Sequence, residues 1–147
     1  MPKFNPKQLQ HYVQSLQAVL QSTQDQANHV SPYFVKLDDA RQEKKLSEMD
    51  SVEFKEIKAE FDDAVTCYED NAKKLAALQA PVRWLGAHKS LVKNYDEYAK
   101  ATKMMADALD ADKQTIDEEH FTQSENDQEL YMGKVQANVT KIFGSAM

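Results

Sequence analysis

Apolar positions along this chain recur at alternating steps of three and four. The clearest run is Phe54, Ile57, Phe61, Ala64, Tyr68, Asn71, Leu75 and Leu78. A second run follows at Trp84, His88, Leu91, Tyr95, Tyr98, Thr102, Met105, Leu109, Asp112 and Ile116. A 3-4 repeat keeps one stripe of a helix facing a partner, with knobs-into-holes packing and a small crossing angle. Between the runs lies Ala80-Pro81-Val82-Arg83-Trp84-Leu85-Gly86. Pro81 has no N–H and restricts Ala80, so the first helix should end near Gln79. The two runs predict an antiparallel helical hairpin, about 51–79 and 86–118.

The flanking segments repeat the pattern. Asn5-Pro6 reads as a cap followed by proline at the first helical position. Leu9, Val13, Leu16, Leu20, Thr23, Ala27 and Val30 then step by four and three, with a glutamine-rich face opposite. Ser31-Pro32 either caps a new helix or bends a continuous one. Phe34 and Leu37 keep the register, which favours continuity with a bend. Beyond Leu37 the stripe becomes Arg41 and Lys44, so a helix there should project into solvent. Asp50-Ser51-Val52-Glu53 has the form of a capping box. Ser124 is expected to cap the last helix, with Glu125 and Asp127 in its first turn. That helix carries Gln128, Met132, Val135, Val139, Ile142 and Ala146, with Tyr131 and Phe143 widening its apolar face and Gly144 as its stop.

These patterns predict an all-α fold: an antiparallel up-down four-helix bundle with coiled-coil-like seams, formed by residues 1–147 as a single domain. By this reading the middle helices run about 40–50 Å and the last only about 30 Å. The hairpin ends would then stay uncovered, and exposed apolar surface of that kind finds a partner. Self-association is therefore expected.

Composition narrows the function classes. The 147 residues include only three glycines and four prolines, which suits long helices with few turns. The formal net charge is −6, and the longest basic runs are the pairs Lys44-Lys45 and Lys73-Lys74. Nucleic-acid binding draws on phosphate neutralisation, so no nucleic-acid partner is expected. No apolar run nears the ~20 residues of a membrane span, so no membrane insertion is expected. The N-terminus lacks the apolar stretch of a signal peptide, which makes a cytoplasmic location the expectation. Cys67 is the one cysteine, which rules out an internal disulfide.

Candidate chemistry is sparse. Three places before His11, His29, His88 and His120 stand Gln8, Gln26, Leu85 and Asp117. Only Asp117/His120 approaches the Glu-x-x-His element of a di-iron bundle. Phosphate loops, zinc-protease motifs and nucleophile elbows do not occur. The sequence thus points to no catalytic residue, cofactor or metal, and to a non-enzymatic bundle acting through protein contacts. Polar residues on the stripes are more informative. Asn71, His88 and Asp112 occupy core-type positions, where a buried polar pair fixes register. Folding the hairpin back places Asn71 opposite Tyr95, Leu78 opposite His88 and Phe54 opposite Asp112, within reach of Lys55 or Lys58. Met104, Met105, Met132 and Met147 serve either as core filler or as an adaptable contact surface.

Trp84-Leu85-Gly86 resembles the Trp-x-Gly turn of the WXG100 (ESAT-6-like) proteins, small helical hairpins exported by type VII secretion. In that family the motif lies in the turn between antiparallel helices. The resemblance implies a secretion-related role; read from the residues alone, Trp84 plugs the bundle end of an ordinary hairpin and Gly86 eases the turn. The family has two helices where this chain has four patterns. Its Tyr-x-x-x-Asp/Glu signal is not matched here, because Val135 holds the fourth place after Tyr131. A small immunity or regulatory bundle is the remaining reading and rests on size and fold class.

Overall fold

A computed structural model describes residues 5–146. The N-terminal residues 1–4 and Met147 lie outside the described residues. The first helix, α1 (Pro6–Gln42), starts where Asn5 accepts the N–H groups of Lys7 and Gln8 at 3.0 and 3.2 Å. It runs through Pro32 without a break. Its buried stripe is Tyr12, Leu16, Val19, Thr23 and Leu37. That line lies beside the expected one: Leu16 and Thr23 are shared, while Leu9, Val13 and Leu20 are half-buried. Lys44 ends the helix in the left-handed conformation (φ 58°), and the N–H groups of Lys44 and Lys45 return to the Arg41 and Ala40 carbonyls.

After a 3-10 turn at Leu46–Glu48, α2 (Ser51–Ala77) begins with Asp50 accepting the Val52 N–H at 2.8 Å. Glu53, expected to reach back to the cap, pairs instead with Lys36 of α1 at 3.0 Å. The inward stripe of α2 is the expected one, from Phe54 to Leu75, with Val65 added. Leu78 turns extended ahead of Pro81, and a 3-10 turn at Val82–Trp84 leads into α3 (Leu85–Asp107).

The structure departs from the expected hairpin after Asp107. The second arm does not continue to residue 118. Leu109–Asp110 (β1) and Thr115–Ile116 (β2) form a small antiparallel hairpin, pairing Leu109 with Ile116 and Asp110 with Thr115. The cause is local. The Asp110 carboxylate accepts the N–H groups of Asp112 and Lys113, both at 3.0 Å, and Gln114 takes φ 55°. A carboxylate that bonds its own following backbone competes with the helical ladder. Leu109 and Ile116 stand seven residues apart, which also suits two helical turns, so periodicity alone does not separate the alternatives.

The last helix, α4 (Glu118–Ala146), consequently starts earlier than expected. Asp117 accepts the His120 N–H at 3.2 Å, and Glu118 and Glu119 complete an acidic first turn. Ser124 is not a cap: it is buried inside α4 and donates to the Phe121 carbonyl at 2.7 Å. Nor is Gly144 a stop, since α4 runs past it. The early start overturns the expected length mismatch. At 29 residues α4 spans about 43 Å, against about 35 Å for the 23 residues of α3.

The four helices pack in sequence order, α1 on α2, α2 on α3 and α3 on α4. Tyr12, Leu16, Val135 and Ile142 share one core cluster, which also brings α1 and α4 together. That cluster lies towards the α2–α3 turn. A second forms at the opposite end around Leu37, Phe54, Met105, Leu109 and Phe121. Arg41, expected in solvent, is only 16% exposed; it pairs with Asp38 at 2.8 Å and Glu118 at 3.3 Å and lies 4.6 Å from the centre of the Phe121 ring. The early start of α4 sets Glu118 and Phe121 opposite it.

Candidate functional site

Of the polar side chains placed on the helix stripes, His88, Asn71 and Thr23 fall in two interior nodes near the α2–α3 turn. The first lies under that turn. Trp84 is 2% exposed, and its ring centre stands 5.7 Å from that of Tyr12. The Arg83 guanidinium covers it from outside at 4.7 Å. Tyr12 Oη and His88 Nδ1 are 2.8 Å apart, which ties α1 to α3. His88 Nε2 and Trp84 Nε1 are buried without a hydrogen-bond partner among the described residues. Burial lowers the His88 pKa; the nearby Leu75 carbonyl acts in the opposite sense without forming a well-aligned bond. His88 therefore sits in the core as a neutral imidazole. Burial also pushes the Tyr12 phenol up to about 12.

The second node joins three helices. Asn71 Nδ2 donates to Tyr95 Oη and to Ser22 Oγ, each at 3.2 Å. Tyr95 Oη and Thr23 Oγ1 lie 2.6 Å apart, and Thr23 donates to the Val19 carbonyl at 2.8 Å. The Thr23 proton being used, Tyr95 donates to Thr23 and accepts from Asn71. Burial pushes the Tyr95 pKa up to about 12, and the bond donated by Asn71 acts against that rise. Cys67 Sγ stands beside the node, 3.5 Å from Ser22 Oγ and 3.8 Å from Asn71 Nδ2.

The Asn71–Tyr95 pair expected from the hairpin register is thus present, and Trp84 is buried where it was placed. The remaining expected residues fall elsewhere. Asp112 is exposed in the β1–β2 turn, not opposite Phe54, and Lys58 bonds Asp62 at 2.9 Å and the Ala106 carbonyl at 2.8 Å. Gly86 is exposed in the first turn of α3, where an added Cβ would meet nothing within 4 Å, so it does not ease the turn. Tyr131 and Phe143 are half-buried and pack against the cluster around Trp84, so the wide apolar face of α4 is used within the chain. Met105 is buried, and Met104 and Met132 are half-buried. His120 Nδ1 pairs with Asp117 at 2.6 Å on the surface, which raises the histidine pKa and lowers that of the aspartate. Among the described residues no three His, Cys, Asp or Glu side chains are grouped to hold a metal, and no helix is long and apolar enough to cross a membrane.

Tyr12, Ser22 and Thr23 belong to these nodes without having been expected there, apart from Thr23 as a stripe position. The signal for Tyr12 and Thr23 was a second 4-3 line along α1, Tyr12-Leu16-Val19-Thr23, next to the one through Leu9 and Val13, whereas Ser22 lies on neither line. No protein-family model, curated protein or solved structure matches this chain.

Proposed function

We propose that the protein is a non-enzymatic helical bundle that acts through protein contacts, beginning with contact to a second copy of itself at the α2–α3 turn. The supporting observation is the surface at that turn. Val82 is 66% and Leu85 40% exposed, three residues apart and on either side of the buried Trp84 in sequence. Large aliphatic side chains held together in solvent favour association. The interior polar groups point the same way, because Asn71, Tyr95 and Thr23 bond one another and so serve register. Val35 and Val52 are exposed as well, but they flank the Lys36–Glu53 ion pair.

The test uses oxidative cross-linking in a Cys67→Ser background, in which an added cysteine is the one thiol. Val82→Cys should give a disulfide-linked dimer under mild oxidation at micromolar concentration, and Leu130→Cys, exposed on the flank of α4, should not. Equal cross-linking of both, or of neither, contradicts association through this end.

A second reading draws on one observation: Trp84-Leu85-Gly86 lies at the junction of two antiparallel helices, as in WXG100 proteins. It expects export that depends on a type VII secretion system. Retention in the cell when such a system is present removes it.

A further inference from the structure

Half-buried Val30 packs against both core clusters. Between them lies a cleft of about 260 Å³ to which all four helices contribute. The reason is legible in the stripes. The α2–α3 register that pairs Asn71 with Tyr95 and sets the Tyr68 ring at a tilt beside that of Tyr98 next sets Ala64 opposite Thr102. At the same level α1 supplies Ala27 and α4 supplies Gln128, whose amide meets Met105 Sδ at 3.6 Å. All four helices thus place a small or polar residue in one layer, where the neighbouring stripe positions of α2 and α3 carry Phe61, Tyr68, Tyr98 and Met105. Protein interiors are packed to near-crystalline density, so a layer left open on four helices at once is unusual.

We propose that this layer is a binding site for a neutral aromatic molecule of one or two rings carrying a single hydroxyl group. Size is the first argument: a dry, apolar cavity of about 150 Å³ already holds a benzene ring, and this cleft is larger. Shape is the second, since the rings of Phe34, Phe61, Tyr68 and Tyr98 line it and offer flat walls. Charge is the third. No charged side chain lines the cleft among the described residues, and burial raises the pKa of both Tyr68 and Tyr98, which stay protonated phenols. The Thr102 hydroxyl donates to the Tyr98 carbonyl at 3.1 Å and keeps a lone pair that accepts from a ligand hydroxyl, and uncharged groups of this kind do not repay the desolvation of an anion. Buried Ala64, Tyr68, Tyr98 and Thr102 form the floor, and exposed Ser31 with half-buried Gln128 marks the entrance between α1 and α4. This inference does not depend on self-association, which uses the far end of the bundle.

The test is titration of the full chain with 2-naphthol, followed by amide NMR shifts and by calorimetry, with 2-naphthoate as the charged comparator. The expected result is saturable binding below millimolar concentration, with shifts centred on residues 27–31, 64–68 and 98–102. Ala64→Leu fills the layer from the floor and Ala27→Leu from the entrance; each should weaken binding at least tenfold with the circular dichroism of a folded bundle retained. Two filling variants keep the test decisive if one of them misfolds. 2-Naphthoate should bind at least tenfold more weakly than the neutral compound. No saturable shift in the wild type, shifts centred elsewhere, or unchanged affinity in a folded filling variant overturns the site. Equal affinity for 2-naphthoate overturns the assignment of a neutral ligand.

Discussion

At the scale of single residues, the buried polar groups decide the behaviour. The folded-state pKa of His88 is lowered by burial, so below about pH 6.5, the ordinary histidine value, the unfolded chain takes up a proton that the folded chain resists. Stability should fall as pH drops through that value. The surface pair His120–Asp117 works in the opposite direction, since the raised pKa of His120 favours the fold at low pH and the gain is lost as pH rises. Thermal melts of wild type and His88→Gln at about pH 7.5 and 5.5 check this. The wild type should lose more on acidification, and equal losses would rule out a buried neutral His88. For the other node, Asn71→Leu should keep stability within about 1 kcal/mol, because Tyr95 retains Thr23 and one buried amide is removed. A loss above about 3 kcal/mol in urea titration would mean that the amide is essential to the fold. Trp84→Ala empties the site under the turn and should cost about 3–5 kcal/mol by the same titration.

At the scale of elements, the stripes of α2 and α3 were legible almost residue by residue, because Phe54 to Leu75 and Trp84 to Met105 obey the 3-4 rule without interruption. The start of α1 at Asn5-Pro6 and its passage through Pro32 were legible too. The 109–116 hairpin was not. Leu109 and Ile116 keep helical spacing, and the deciding interaction, Asp110 capping its own turn, is weaker as a sequence signal than the periodicity. The hairpin sets the start of α4 at Glu118, brings Glu118 and Phe121 to Arg41 and leaves Ser124 inside the helix instead of at its cap. The hairpin is held from outside by Gln114, whose amide donates to the Leu46 and Met49 carbonyls at 2.7 and 2.6 Å. Gln114→Ala should therefore cost about 1–3 kcal/mol. Amide exchange should speed up in residues 46–49 and 109–116 together; faster exchange confined to the substituted turn would show that the two segments are uncoupled.

At the scale of the molecule, the four-helix architecture follows from the patterns, whereas helix length gives no ground for association. Unequal helices no longer leave the hairpin uncovered, since α4 is longer than α3 and its Tyr131 and Phe143 pack inward. What supports association is the α2–α3 turn, where Val82 and Leu85 stand in solvent on either side of Trp84 in sequence. The candidate site was legible only in part. Asn71, Tyr95, His88 and Trp84 were visible as polar or aromatic breaks in apolar stripes. The open layer at Ala27, Ala64, Thr102 and Gln128 was not, because it exists only once four registers are known. The measurement that bears most directly on the proposed role is sedimentation equilibrium of the wild type and of Val82→Glu/Leu85→Glu over a micromolar concentration series. Association through the turn predicts a wild-type mass that rises to twice that of the chain and a variant that stays at the single-chain mass. A wild type that remains monomeric throughout, or a variant that dimerises equally well, contradicts it.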